Sequence, residues 1–298
     1  MKNSINRYFQ EVFTDDVKVH ETWKGFKGKI KALLKNVKKH PDIQKYSEEK
    51  FTPSPKNVLR FLRTDLKKIK IVILGQDPYP QEADEVRAAT GRAFEVGTIK
   101  CWCDPIPQTS LINIVKTIFI IDKIKKENSN TERIYKQIRE QVDKKNISID
   151  LIREQIKSGD FKINCSLQNW FVDLEEQGVL FLNTAFTCNV GNTKEDANVH
   201  SAAWQEFTKE LIEHLNKENP KIKWFLWGEK AQDIMPEGDK GEEKYYRVCH
   251  PRLLDFISSK NGIAETWETI NWLGVKYKKN RRREYTTDIS KSYNSEGV

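Results

Sequence analysis

Four short apolar runs, each ending in a small or polar residue, constrain this chain more than any other feature. Ile71-Val72-Ile73-Leu74 leads into Gly75, and Val179-Leu180-Phe181-Leu182 into Asn183-Thr184. Ile222 to Trp227 leads into Gly228, and Tyr245-Tyr246-Arg247-Val248-Cys249 into His250-Pro251. Short, mainly apolar runs bounded by turn residues read as strands buried on both faces, as in a parallel sheet. Helical patterns separate them. The plainest lies between Ala203 and Leu215, where Trp204, Phe207, Leu211, Ile212 and Leu215 fall on one face. Strands alternating with helices predict a three-layer α/β/α fold around a central, mainly parallel four-stranded sheet.

In such a sheet all the carboxyl ends share one edge, and ligands bind there. That edge would carry Asp77 with Tyr79, then Asn183, Gly228 and His250. Pro78 and Pro80 stiffen the first loop by fixing their own φ and restricting the residue before each. Singly, each feature has an ordinary reading. Asp-Pro is common turn chemistry, Asn183 could cap the next helix, and His250 could be a satisfied histidine before a turn. Together, a carboxylate, an amide and an imidazole at one sheet edge make a catalytic set.

Composition narrows the class. The chain has 298 residues, 38% of them apolar, and eight Trp, enough for one large core. It has no unbroken apolar run of about 18 residues, so no membrane span is expected. Met1-Lys2-Asn3-Ser4 leads into a charged segment with no apolar signal core, so the expected location is cytoplasmic, or nuclear or a viral factory, and not secreted. Five scattered cysteines fit a reducing compartment better than a disulfide framework. A net charge of +8 favours a polyanionic partner. Basic clusters lie at Lys24 to Lys39, Lys123 to Lys126 and Lys276 to Arg283, though each also reads as a solvated helix face or tail.

Residues 1 to about 50 read as helices, and Asn57 to Leu66 as a short helix entering the first strand. Thr109-Ser110-Leu111 precedes another helix. A charged stretch, about 120–165, reads as a helical insertion of two amphipathic helices joined near Asn146. The expected organisation is a single domain over 1–280 and a basic, polar, disordered tail over 281–298.

The motifs, taken in order, resemble the family 1 uracil-DNA glycosylases. Gly75-Gln76-Asp77-Pro78-Tyr79 is similar to that family's water-activating loop, and Gly91-Arg92-Ala93-Phe94 to the segment whose phenylalanine stacks on the base. Thr109-Ser110-Leu111-Ile112-Asn113-Ile114 resembles the loop that pinches the DNA backbone, and Gly178 to Asn183 the strand that ends in the base-reading asparagine. Ala197-Asn198-Val199-His200-Ser201 resembles the following helix entry, and Leu226 to Gln232 another family strand and turn. His250-Pro251-Arg252-Leu253-Leu254 resembles the histidine and intercalation loop.

The resemblance implies an enzyme that flips uracil out of DNA and hydrolyses its N-glycosidic bond. It implies Asp77 and His250 as catalytic groups, Gln76, Tyr79, Phe94 and Asn183 around the base, and Ser110, Arg252, Leu253 and Leu254 on the DNA. Asp77 would orient water and stabilise a cationic sugar, while a neutral His250 would donate to uracil O2. Asn183 would donate to O4 and accept from N3–H, a pattern that cytosine reverses. Tyr79 would crowd a thymine methyl. Either Leu254 or Leu253 would fill the gap left by the flipped base. The implied enzyme acts as a monomer on single- or double-stranded DNA, with no cofactor or metal. Cys101-Trp102-Cys103 lacks the paired spacing usual for an iron–sulfur cluster.

Three departures from the family pattern, together with the length of the charged insertion, keep other readings open. Pro80 stands where the family has histidine, Arg252-Leu253 where it has Ser-Pro, and the acidic loop from Gln81 to Thr90 is long. One alternative is a glycosylase for a modified pyrimidine. Another is a weakly catalytic DNA-binding or replication scaffold on the same fold. No lysine lies in the matched pocket motifs to support a Schiff-base lyase step.

Overall fold

The computed structural model describes residues 3–45, 51–83, 86–127, 131–144, 147–191, 199–236 and 243–275. Eight strands occur among them: β1 (Phe51–Thr52), β2 (Ile71–Gly75), β3 (Glu82–Ala83), β4 (Val86–Arg87), β5 (Val179–Asn183), β6 (Cys188–Asn189), β7 (Lys223–Trp227) and β8 (Tyr245–Val248). The central sheet has the order β5-β2-β7-β8, and every neighbouring pair in it is parallel. The four apolar runs are therefore its four strands.

Side chains alternate across a strand, so each run feeds both faces. Ile71, Ile73, Phe181, Phe225 and Trp227 join one apolar cluster. Val72, Leu74, Leu180, Leu182, Trp224 and Leu226 join the other. Helices Thr109–Glu127, Thr131–Lys144 and Leu167–Gln177 cover the first face, placing Ile114, Ile118, Ile134, Ile138 and Phe171 in that cluster. Helices Asn3–Val12, Lys24–Lys39 and Val199–Glu218 cover the second with Phe9, Phe26, Ile30, Trp204, Phe207 and Leu211. The result is the expected three-layer α/β/α arrangement. No helix is long and apolar enough to cross a membrane among the described residues.

The charged stretch between Lys123 and Lys162 packs firmly where it is described. Its helices Thr131–Lys144 and Ile149–Ser158 bury Ile134, Tyr135, Ile138 and Ile152, and the Tyr135 hydroxyl donates to Glu265 at 2.6 Å. A few well-placed isoleucines dock these helices despite the surrounding charge. Asn146 and the tail from 276 onward, including the Lys276 to Arg283 cluster, lie outside the described residues.

Three local expectations are corrected. Asn57 to Leu66 is not one helix: a helical turn Pro55–Val58 and 3-10 turns Arg60–Arg63 and Leu66–Lys68 replace it. Leu59 breaks the run at φ −104° and ψ 39°, outside the helical region. The stretch from Gln81 to Thr90 contains a small antiparallel hairpin, β3 with β4, rather than a plain loop. The cysteines are not all free, because Cys101 and Cys165 form a disulfide with Cα atoms 5.4 Å apart. That distance is ordinary for a disulfide.

Candidate active site

Parallel pairing brings two chemical groups together at the carboxyl edge. In the β2–β5 register, Gly75 lies opposite Asn183. A Cβ on Gly75 would sit 2.6 Å from Asn183 Oδ1 and 3.0 Å from the Ala93 Cβ, so the absence of a side chain there makes room for the amide and for the Phe94 segment. Asn183 is 6% exposed. Beyond the strands the two loops are sewn together. Thr184 N–H donates to Gly75 O at 2.9 Å, Ala185 N–H to Gln76 O at 2.9 Å, and the Thr184 hydroxyl to Gln76 O at 2.7 Å. The Cys188 thiol donates to Pro78 O at 3.1 Å, and Gly191 N–H to Pro80 O at 2.9 Å. Gln76 to Pro80 is thus a fixed loop.

Asp77 lies within that loop. Burial raises its carboxyl to about 6, with a backbone hydrogen bond offsetting part of the rise. Burial also raises the Tyr79 phenol and the Cys188 thiol, and in both the Asp77 charge adds to the effect. Tyr79 and Cys188 therefore lie near enough to sense its ionisation.

Phe94 is buried and holds φ at +65°, a left-handed backbone found at no other non-glycine residue among those described. Its ring centroid is 5.7 Å from Trp227 and 6.2 Å from His250. The segment around it is fastened by buried charges. The Arg92 guanidinium bonds both Glu95 oxygens at 3.0 and 2.9 Å, and Glu175 at 2.5 Å. The Thr90 hydroxyl donates to Glu95 as well.

His250 follows β8. Arg252 N–H donates to its Nδ1 at 3.2 Å, which places the proton of the neutral ring on Nε2 and makes that atom a donor. Burial lowers the His250 pKa, and the Arg252 charge lowers it further, so the ring is neutral at pH 7. Gly228, at φ +106°, lets the ring pack close, because a Cβ there would meet His250 Cδ2 at 3.1 Å. A cavity of about 550 Å³ opens beside these groups, lined by Gln76, Trp227, Gly228, His250, Arg252 and Leu253. A larger cleft of about 860 Å³ lies by Arg60, Arg87, Glu95 and Lys100 and contains none of the strand-end groups.

Leu253 and Leu254, 47% and 53% exposed, project from the loop after His250, and Arg252 is exposed beside them. Ser110 lies in the first turn of helix Thr109–Glu127. Sequence reasoning missed what joins these parts. Asn113, buried in the same helix, donates from Nδ2 to Pro251 O at 2.7 Å and to Leu253 O at 3.3 Å. Its place in the Ser110 motif was visible, but its partners are far away in sequence. His200 proves to be a satisfied core histidine: its Nδ1 lies 2.8 Å from the Thr187 hydroxyl and its Nε2 2.8 Å from Asn189 Oδ1. Ala197 and Asn198, from the same motif, lie outside the described residues.

Chemically, this edge offers a half-buried carboxylate of raised basicity, a neutral N–H donor, an amide with both a donor and an acceptor, an aromatic face and two exposed leucines. Comparison with known proteins gives a consistent result. Residues 63–274 match the family model described as the uracil DNA glycosylase superfamily. A uracil-DNA glycosylase of Pseudomonas fluorescens is 29% identical over 276 residues, covering 87% of this chain and 96% of the relative. One from Lachnoclostridium phytofermentans is 27% identical over 239 residues, covering 78% and 83%. Among solved structures, the UNG of Nitratifractor salsuginis aligns with a TM-score of 0.57 at 18% identity, covering 90% of this chain and 96% of that one. A mimivirus UNG variant in complex with UGI aligns at 0.53 and 20% identity, covering 84% and 77%. The structural likenesses carry the fold.

Proposed function

The chain belongs to the uracil-DNA glycosylase superfamily, and from that premise we propose how its own residues release uracil from DNA. The observation that carries the reading is the family match over residues 63–274, on a chain whose sheet edge bears Asp77, Asn183 and His250. The protein is a DNA glycosylase of base excision repair. It hydrolyses the N-glycosidic bond of uracil and leaves an abasic site.

The target base must leave the stack before its bond can be reached, and uracil's weaker pairing in mismatches lowers that cost. Leu254 or Leu253 fills the vacated space, while Arg252 and Ser110 hold flanking phosphates. In the pocket, uracil stacks on Phe94, with Gln76 beside it. Asn183 donates to O4 and accepts from N3–H, and Tyr79 occupies the space a thymine methyl would need. The bond between C1′ and N1 then breaks, and its electron pair moves into the uracil ring. Negative charge grows on O2, where the Nε2–H of His250 meets it. This contact is stronger in the transition state than in the ground state, which is what accelerates the step. Asp77 faces the cationic sugar, directs water to C1′ and accepts the proton that water gives up. With its pKa near 6, Asp77 is ionised at neutral pH and still basic enough for that task.

The working unit on this reading is one chain acting inside the cell on single- or double-stranded DNA. The test is uracil release from an oligonucleotide followed by alkaline strand cleavage, with thymine, cytosine and 5-hydroxymethyluracil oligonucleotides as controls. Cleavage at uracil alone, nearly abolished in Asp77→Asn and His250→Ala, is the expected result. Folded, DNA-binding protein that releases no uracil would overturn the reading, and release of the modified base instead would identify a specialised glycosylase.

A further inference from the structure

The disulfide partners have a neighbour. The sulfurs of Cys101, Cys103 and Cys165 all lie within 4.8 Å of one another, although Cys165 is far away in sequence. Backbone pairing joins the two segments alongside the covalent bond. Cys101 and Ser166 form an antiparallel bridge. Trp102 N–H donates to Cys165 O at 3.1 Å, and Leu167 N–H donates to Lys100 O at 2.9 Å. Trp102 and Leu167 are both buried, so each strand of the bridge is anchored in the core. The Asp104 carboxylate closes the turn by accepting from Lys100 N–H at 3.0 Å and Cys101 N–H at 2.9 Å.

We propose that Cys101, Cys103 and Cys165, with the Cys101–Cys165 bond reduced, form a three-thiolate site for a thiophilic divalent cation such as Zn²⁺. Sulfurs bound to zinc at about 2.3 Å in a tetrahedron stand about 3.8 Å apart, within reach of the observed spacing. Cys103 N–H donates to Cys101 Sγ at 3.2 Å, which draws the two cysteines into one tight turn. Cys165 is exposed and the other two are half-buried, so a cation can reach the site and solvent can fill the fourth position. The site is separate from the glycosidic chemistry. Its place in the fold gives it a structural role, tying the loop that leads to the Ser110 helix to the start of helix Leu167–Gln177. A dithiol reductant supplies the two electrons and two protons that open the disulfide, itself closing to a cyclic disulfide. Each ligating thiol then releases its proton as the metal binds.

The test uses the full chain, reduced with dithiothreitol, desalted under nitrogen and titrated with Co²⁺ alone. The expected result is a saturable thiolate-to-cobalt charge-transfer band with tetrahedral d–d bands in the red, lost on adding Zn²⁺. Cys101→Ser, Cys103→Ser and Cys165→Ser should each weaken or abolish the bands, while Cys249→Ser keeps them. Zn²⁺ should raise the Tm of the reduced wild type and not that of Cys103→Ser, by simple mass action. Circular dichroism confirms that each variant is folded. Absence of the charge-transfer band, a band that survives Cys103→Ser, or a Cys101–Cys165 disulfide that persists after reduction would overturn the proposal.

Discussion

Replacing Asp77 by Asn tests the electrostatics of the site through stability as well as rate. Burial lifts the Asp77 carboxyl from 3.8 to about 6. Each pKa unit is worth about 1.36 kcal/mol, so the shift corresponds to at most about 3 kcal/mol, and to roughly 1–3 kcal/mol for a side chain that is only partly buried. The folded-state value lies above the unfolded one, so between about pH 4 and 6 the folded protein binds more protons. Its stability therefore falls as pH rises through that window and stays low above it. Asn carries no such cost. Asp77→Asn should match the wild type near pH 4 and exceed it by roughly 1–3 kcal/mol above pH 7, while losing nearly all uracil release. Urea unfolding from pH 4 to 8 measures the difference directly. Parallel stability profiles for the two proteins, or a variant less stable at pH 8, would refute the claim that Asp77 is ionised at a cost. In the same window, wild-type kcat should fall as pH drops through about 6, because the protonated carboxyl cannot stabilise the sugar cation.

Further outcomes follow from the geometry. His250→Ala should lower kcat by about 10²–10³ with little change in KM, and in Arg252→Gln the imidazole pKa should rise, read by NMR, because one of the two influences holding it down is gone. Gly75→Ala should cost about 1–3 kcal/mol of stability and displace Asn183, so kcat/KM for uracil should drop more than DNA binding does. Asn113→Ala leaves the Pro251 and Leu253 carbonyls without that donor, and should cost about 1–3 kcal/mol and weaken activity on duplex more than on single strands. Arg92→Met strands two carboxylates and should destabilise by about 3–5 kcal/mol, and adding Glu95→Met should recover part of the loss in thermal unfolding.

Sequence and structure agree where information is local. Each sheet strand is a mostly apolar run, broken only by Lys223 in β7 and Arg247 in β8, and each ends where the chemistry begins. Asp77, Asn183 and His250 were legible because a parallel sheet sends every carboxyl end to one edge. What escaped depends on distant partners. The apolar residues from Val58 to Leu66 suit a helix, yet Leu59 leaves helical geometry and the segment packs as separate turns instead. Cys165 meets Cys101 across 64 positions, and no spacing rule anticipates that. Arg92 stands in the motif that ends at Phe94, but nothing in that motif shows that Glu95 and the distant Glu175 close around it. Asn113 looks like a helix residue among many, because its partners are main-chain carbonyls of a loop more than a hundred positions away.

That last contact has a consequence for how the protein can change. Asn113 holds the loop after His250 through the carbonyls of Pro251 and Leu253, and through no side chain of that loop. The grip is indifferent to which residues stand at 252, 253 and 254. Their exposed side chains behave like an interchangeable tool tip on a fixed handle. The DNA-probing end can therefore be refitted, as charge, bulk or aromatic surface, while the mount and the histidine behind it stay where they are.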